Sequence, residues 1–201
     1  RPECSSTAEI LYDIIQAIPA SLSREAAENI YTAILTDTGS FRFANTTARA
    51  LEIAAEMVAL GVTPDKVASE VYDSMSPERL RLLARSLHTL TLRANGRLAT
   101  MQVSQRMLEE TKTTVVDTDG FVNYPRGIST AEMAIFFREM DSGKVNVSLR
   151  SRGKLNVAEF ARSYDGGGHH NAAAFRAEGS LPEVVEEILA AAEEFIAGGA
   201  Q

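Results

Sequence analysis

The chain has 201 residues, 45% of them hydrophobic and 23% charged, with a net charge of −7 and a single cysteine. That is enough chain for one large or two small domains with real cores, in the composition range of ordinary globular proteins. It excludes an intrachain disulfide, a membrane-spanning run of roughly 20 apolar residues, a signal peptide at Arg1-Pro2-Glu3-Cys4 and a non-specific nucleic-acid coat, and the lone Cys4 fits a reducing cytoplasm.

The first half reads as helices. Ser6 and Glu9 have capping-box spacing, and Ile10, Leu11, Ile14, Ile15 and Ile18 fall on one face of the helix that follows. A second helix runs from about Arg24, with Ala27, Ile30, Tyr31 and Ile34 inward, and stops near Asp37-Thr38-Gly39. Asn45 or Thr46 opens a third, with Ala48, Leu51, Ala55 and Val58 as its stripe and Gly61 as its stop. Thr63-Pro64 begins a fourth. Ser76-Pro77 caps a longer helix, with Leu80, Leu83, Leu87 and Leu90 at near-heptad spacing, which ends at Asn95-Gly96. Its stripe lasts barely two heptads, so it reads as packing rather than a coiled coil, and the helix reads as a connector between two domains.

From Arg97 the period shortens. Ala99, Met101 and Val103 alternate with Thr100 and Gln102. Segments 134–140 and 145–151 flank Asp141-Ser142-Gly143-Lys144, the pattern of a β-hairpin with a glycine-containing loop. On the second of these strands Val145, Val147 and Leu149 share one face while Asn146, Ser148 and Arg150 share the other, which predicts a dry side and a functional side. Asn156 and Glu159 cap a short helix, residues 173–178 read as another strand, and Ser180-Leu181-Pro182-Glu183 caps a final amphipathic helix ended by Gly198-Gly199.

Charge is unevenly spread. Residues 1–75 carry 5 basic and 11 acidic side chains, and residues 177–201 carry 6 acidic and no basic ones. Between Arg126 and Arg176 there are 8 basic against 5 acidic, a positive segment suited to a local anion site rather than a broad nucleic-acid footprint. Within it lies Gly166-Gly167-Gly168-His169, where missing Cβ atoms let backbone N–H groups converge on an anion and a histidine adds a donor. Arg150 offers a planar fork for phosphate, with Ser148 and Ser151 as further donors. Arg152 and Lys154 are less committed, and Arg42 and Asn45 follow the Asp37 turn.

Taken together, Thr36-Asp37-Thr38-Gly39-Ser40-Phe41, the stretch Val145-Asn146-Val147-Ser148-Leu149-Arg150-Ser151-Arg152-Gly153 and Gly166-Gly167-Gly168-His169 resemble the DHH phosphoesterase superfamily. The match is to its RecJ-like nanoRNase/pAp phosphatase type. The resemblance implies an α/β protein of two lobes: the helical C-terminal part of a DHH catalytic domain (1–75), a linker helix (76–95), and a mixed-sheet substrate-binding domain (96–201). It implies Asp37 as a metal ligand, and Ser148, Arg150, Ser151, Gly166, Gly167, Gly168 and His169 as substrate-binding residues. Two Mn²⁺ ions, hydrolysis of short RNA oligonucleotides or phosphorylated nucleotides such as pAp, and a cytoplasmic, membrane-free setting follow from the same resemblance. Whether the chain forms a homodimer stays open.

The Asp-His-His triplet that names the superfamily is missing, and His169-His170 follows glycines and does not stand in for it. The chain therefore reads as a fragment that is inactive alone, because one carboxylate cannot hold two ions about 3.5–4 Å apart. The sequence after the histidine, Ala172-Ala173-Ala174-Phe175, departs from the family's two alanines and a glycine. A cyclic-dinucleotide phosphodiesterase and a non-catalytic nucleotide-binding module remain alternatives.

Overall fold

Ser23 and Thr47 each stand just before a helical run, and their side chains accept hydrogen bonds from Ala26 N (3.2 Å) and Ala50 N (3.0 Å), closing two helix N-termini. In a computed structural model, which describes residues 1, 3–19, 21–73, 75–141 and 143–198, the chain divides into two units, Arg1–Met75 and Ser76–Gln201. The described part of the first unit is helical: α1 (Thr7–Gln16), α2 (Arg24–Asp37), α3 (Ala48–Ala59) and α4 (Pro64–Tyr72). Its core gathers Tyr12 from α1, Ile30 and Ile34 from α2, Ile53 and Met57 from α3, and Val67 from α4.

Two local expectations fail here. The capping box does not form between Ser6 and Glu9: Glu9 Oε2 instead accepts from both N and Oγ of Ser5 (2.9 Å each), and Ser6 Oγ is buried without a partner among the described residues. The helix phases also differ. Helix α1 turns Ala8 and Tyr12 inward and leaves Leu11, Ile14 and Ile18 about half exposed, and α3 buries Ile53, Ala54 and Met57 while Leu51 and Val58 face out. Both helices carry apolar residues over more than one face, so periodicity alone leaves the phase undetermined.

The second unit starts with α5 (Pro77–Leu87), capped by Ser76, whose Oγ accepts from Arg79 N. This helix is shorter than the sequence pattern predicts. After it the chain turns and lays down β1 (Thr91–Arg93), because Ala94, Asn95 and Gly96 all take positive φ (+49°, +56°, +85°) and reverse the chain into β2 (Leu98–Val103). Leu82, Leu83 and Ser86 form its buried face, so Leu80, Leu87 and Leu90 are not the packing stripe.

Six strands form one sheet in the order β1-β2-β3-β4-β6-β5, with β3 (Met133–Glu139), β4 (Lys144–Ser151), β5 (Gly167–His169) and β6 (Ala172–Glu178). Only β2 and β3 are parallel. A parallel pair needs a long crossover, and residues 104–132 supply one through α6 (Gln105–Thr111), a 3-10 turn at Val115–Thr118 and α7 (Asn123–Arg126). None of these three elements was evident in the sequence. The hairpin between β3 and β4 forms as read, with Gly143 at φ +72° in its turn; Ser142 of that turn lies outside the described residues, as does Gly199 after the last helix.

One sheet face is covered over the four central strands. Val145, Val147 and Leu149 of β4, Ile135 and Phe137 of β3, and Phe175 of β6 pack beneath α8 (Val157–Arg162) and α9 (Leu181–Gly198). On the other face, Met101, Val103 and Phe136 meet Leu82, Leu83, Phe121 and Val122, so cover extends over β2 and β3. Over β6 and β5 that face is open, with Ala174, Arg176 and Gly167 exposed. The end of this cover makes a step, and the candidate residues stand along it.

Candidate functional site

Strand alternation sends Asn146, Ser148 and Arg150 to the partly open face and Val145, Val147 and Leu149 to the core, as the sequence pattern requires. Register then builds three rows across the strands. Ala134, Arg150, Ala172 and His169 stand side by side, then Phe136, Ser148, Ala174 and Gly167, then Arg138, Asn146 and Arg176. The middle row, beyond buried Phe136, is a floor of small residues. The outer rows carry the charge.

Arg150 is half-buried, and among the described residues its one hydrogen bond runs from Nη1 to the carbonyl of Leu149 (2.9 Å). No carboxylate pairs with it within 4 Å among those residues. Burial pushes its pKa below the ordinary arginine value, the neighbouring Arg126 adds to that, and Asp119 opposes it. A guanidinium partly stripped of water, near a second cation and without its own anion, gains from an incoming phosphate on both counts. Ser148 Oγ accepts a hydrogen bond from Asn146 Nδ2 (3.3 Å) along the strand. The 117–119 segment that carries Asp119 is held by Arg79, which donates to the carbonyls of Asp117 (3.0 Å) and Asp119 (2.7 Å).

Ser151 is set apart from these residues. It is 2% exposed on the opposite face, and its Oγ donates to Leu155 O (2.7 Å) and lies 3.1 Å from Asn171 Oδ1. A pleat that turns Arg150 toward the open face must turn its neighbour inward. Ser151 ties β4 to the segments 155 and 170–171 and does not share the face of Arg150 and Ser148.

The glycine run is not a loop. Gly167–His169 form edge strand β5, paired with β6, and an edge strand leaves alternate N–H groups unpaired. Two of the glycines answer to packing. A Cβ on Gly166 would lie 2.4 Å from Phe175 Cβ, and one on Gly168, at φ +149°, would lie 2.4 Å from Ala172 O. Gly167 answers to nothing in the fold: a Cβ there would meet no atom within 4 Å. His169 is exposed at the end of this strand.

Asp37 sits in the first unit as the last residue of α2, exposed, with its carbonyl accepting from Asn45 Nδ2 (3.1 Å). The turn after it is built by its neighbour. Buried Thr38 donates through Oγ1 to Ile34 O (2.6 Å) and accepts from Phe41 N (3.1 Å). Gly39, Ser40 and Phe41 then take left-handed φ of +56°, +60° and +61° in succession, a costly run for two residues that carry side chains. A carboxylate at the negative end of a helix gains from a nearby cation. Among the described residues, however, no three His, Cys, Asp or Glu side chains gather where they could hold a metal, so those residues do not by themselves fit a two-ion centre. Asn45 also donates to Ser5 O (2.9 Å) and Arg42 Nε to Gly39 O (2.8 Å), which gives both a structural task in this unit.

Arg126, Arg138, Arg176 and Asp119 were not singled out as site residues from sequence. The signal available was the excess of basic residues between 126 and 176, and only sheet register converts it into positions. Two surface depressions of about 510 and 470 Å³ lie against α9 and around Asn156; of the candidate residues weighed from sequence only Lys154 lines either, the second.

Residues 95–198 match the DHHA1 domain family model. Over 197 residues the chain is 35% identical to the bifunctional oligoribonuclease and PAP phosphatase NrnA of Thermus thermophilus, covering 96% of this chain and 58% of that protein. It is 30% identical over 168 residues to the NrnA of Bacillus subtilis, covering 82% of this chain and 52% of that one. The crystal structure of an exopolyphosphatase-related protein from Bacteroides fragilis superposes with a TM-score of 0.93 at 30% identity, covering 100% of this chain and 60% of that chain. The chain thus spans between 52% and 60% of the length of these three proteins. The family model covers more than half of the chain, which belongs to the DHHA1 domain family.

Proposed function

We propose that the whole protein to which these residues belong is a metal-dependent phosphoesterase acting on short RNA oligonucleotides and on pAp. In this reading residues 1–75 are the C-terminal part of the catalytic domain, with Asp37 as one ligand of an Mn²⁺ pair. Residues 76–95 open the second unit with α5 and β1, and residues 96–201 hold the substrate. The observation that carries the proposal is the row of Arg150 and His169 on the open sheet face, joined by Gly167 and Ser148, with no carboxylate paired to Arg150 among the described residues. The names of the 35% and 30% identical relatives support the same chemistry.

The division of labour follows from physical chemistry. A phosphate gripped by a guanidinium fork, a histidine and strand N–H groups fixes one end of a short substrate; Asp37 would be one of the residues holding the metal, which would supply the activation of water. A cytoplasmic setting belongs to the same proposal; among the described residues no helix is long and apolar enough to cross a membrane.

Titrating AMP against isotope-labelled protein tests the reading. Resonances of Gly167, Gly168 and His169 should shift with a dissociation constant of about 0.1–10 mM. Shifts that spare this strand and cluster elsewhere would overturn the assignment.

A further inference from the structure

Two residues along β4 from Ser148, and four from Arg150, the open face meets its other charged row: Arg138 on β3, Asn146 on β4 and Arg176 on β6, in register. At about 3.3 Å per residue this row lies roughly 13 Å from the Arg150 row, with the small-residue floor between them. Neither arginine of the row has an acidic partner within 4 Å among the described residues. Arg138 Nη1 donates only to neutral acceptors, Val115 O (3.2 Å) and Thr118 Oγ1 (3.1 Å), and its buried Nε finds no acceptor. Arg176 is exposed and makes no ion pair among those residues.

The next row shows that acids are at hand in this sheet. There Lys144 pairs with Glu178, two residues beyond Arg176. An ordinary solvated surface mixes its charges in that way, whereas the Arg138–Arg176 row keeps two cations together. Burial lowers the pKa of Arg138 below the ordinary arginine value, Asp119 opposes this, and the proximity of Arg176 adds to it. Like charges held together on one row are relieved by a bound anion.

We propose that the Arg138–Asn146–Arg176 row is a second phosphate subsite, so that this face takes a strand of at least three nucleotides, with its 5′-phosphate at Arg150 and His169 and the phosphate two steps along the strand at Arg138 and Arg176. The inference rests on the nucleotide reading of the Arg150 row. The floor of Ser148, Ala174 and Gly167 leaves room for the two sugars and the intervening phosphate that join them. Arg138 is anchored at the foot of the step through Val115 and Thr118, whereas Arg176 is free to close from the open side.

The test compares AMP with the 5′-phosphorylated trinucleotide pApApA, each titrated over a range of salt concentrations against wild-type chain, Arg176→Ala, Arg176→Lys and Arg150→Ala. Because Arg176 is exposed, its replacement leaves the fold intact. The expected result is that Arg176→Ala changes AMP affinity less than twofold, weakens pApApA about tenfold, and lowers the salt slope for pApApA by about one unit of log K per log salt. Arg176→Lys should restore most of the slope, because it returns the charge. If Arg150→Ala weakens both ligands while Arg176→Ala alters neither, the second subsite is refuted and the nucleotide reading stands. If Arg150→Ala alters neither ligand, the nucleotide reading itself fails.

Discussion

Alanine placed in turn at Gly166, Gly167 and Gly168 should separate what the fold requires of this run from what a ligand requires. At Gly168 the added Cβ would stand 2.4 Å from Ala172 O and 2.5 Å from Ala173 Cα, at a φ of +149° that side chains rarely adopt. The conformation alone costs about 1–3 kcal/mol, and the overlap is with backbone that no rotamer change can clear. At Gly166 the overlap is with Phe175 Cβ (2.4 Å) and Ala174 O (2.5 Å), an overpacking cost of about 1–3 kcal/mol. Gly167 has open space where its Cβ would be, so Gly167→Ala should stay within about 0.5 kcal/mol of wild type. Its methyl group would nevertheless stand in the Ser148–Ala174 row and hold a phosphate off the strand. Urea unfolding followed by circular dichroism gives the stabilities, and the AMP titration gives the affinities. Gly168→Ala should be the least stable, whereas Gly167→Ala should unfold like wild type yet bind AMP about tenfold more weakly, a loss of about 1.4 kcal/mol. A Gly167→Ala protein that binds AMP as wild type does would refute the argument that this glycine serves a ligand. One destabilised as much as Gly168→Ala would refute the packing argument.

Three further outcomes are expected. Arg150→Ala should weaken AMP by about 1.5–3 kcal/mol, the range of a charge-assisted hydrogen bond, whereas exposed Arg152→Ala should cost about 0–1 kcal/mol; equal small losses would mean that β4 does not face the phosphate. Residues 1–201 incubated with Mn²⁺ and a short RNA should release no mononucleotide above a metal-only control, and activity that survives repurification and vanishes in Asp37→Ala would contradict the single-carboxylate reasoning. Arg97 grips Glu132 through Nε–Oε1 and Nη2–Oε2 contacts of 2.8 Å each, and this bidentate pair holds the Glu132 carboxyl below its ordinary 4.5. A carboxyl depressed in the folded state stabilises it above the unfolded-state pKa and loses that contribution as pH falls through the folded value. The stability gap between wild type and Glu132→Gln should therefore be steady at neutral pH and close as the pH falls below 4.5, and a gap that widens with acid would reverse the assigned sign.

The local chemistry of the chain was enough to find most elements. Residue types at caps and the periods of 3.6 and 2 mark α2, α3, α4, the β3–β4 hairpin, α8 and α9, and the three motifs mark the family. The alternation of β4 also assigned Ser148 and Arg150 to one face before any fold was known. What the sequence left open is whatever depends on a partner distant in the chain. Helices α1 and α3 are apolar over more than one face, so only their neighbours select Tyr12, Ile53 and Met57 for burial over Ile14 and Leu51. The glycine run read only as backbone free to converge on an anion because Gly residues carry no record of pairing; β6, lying against it, makes it a strand and explains Gly166 and Gly168 by contact with Ala174, Phe175, Ala172 and Ala173. Ser151 reads as a donor beside Arg150, yet the pleat and Leu155 take it into the core. The row that joins Arg138, Asn146 and Arg176 draws on three strands separated by turns and loops, and hydrogen-bond register between strands is the only thing that brings them side by side.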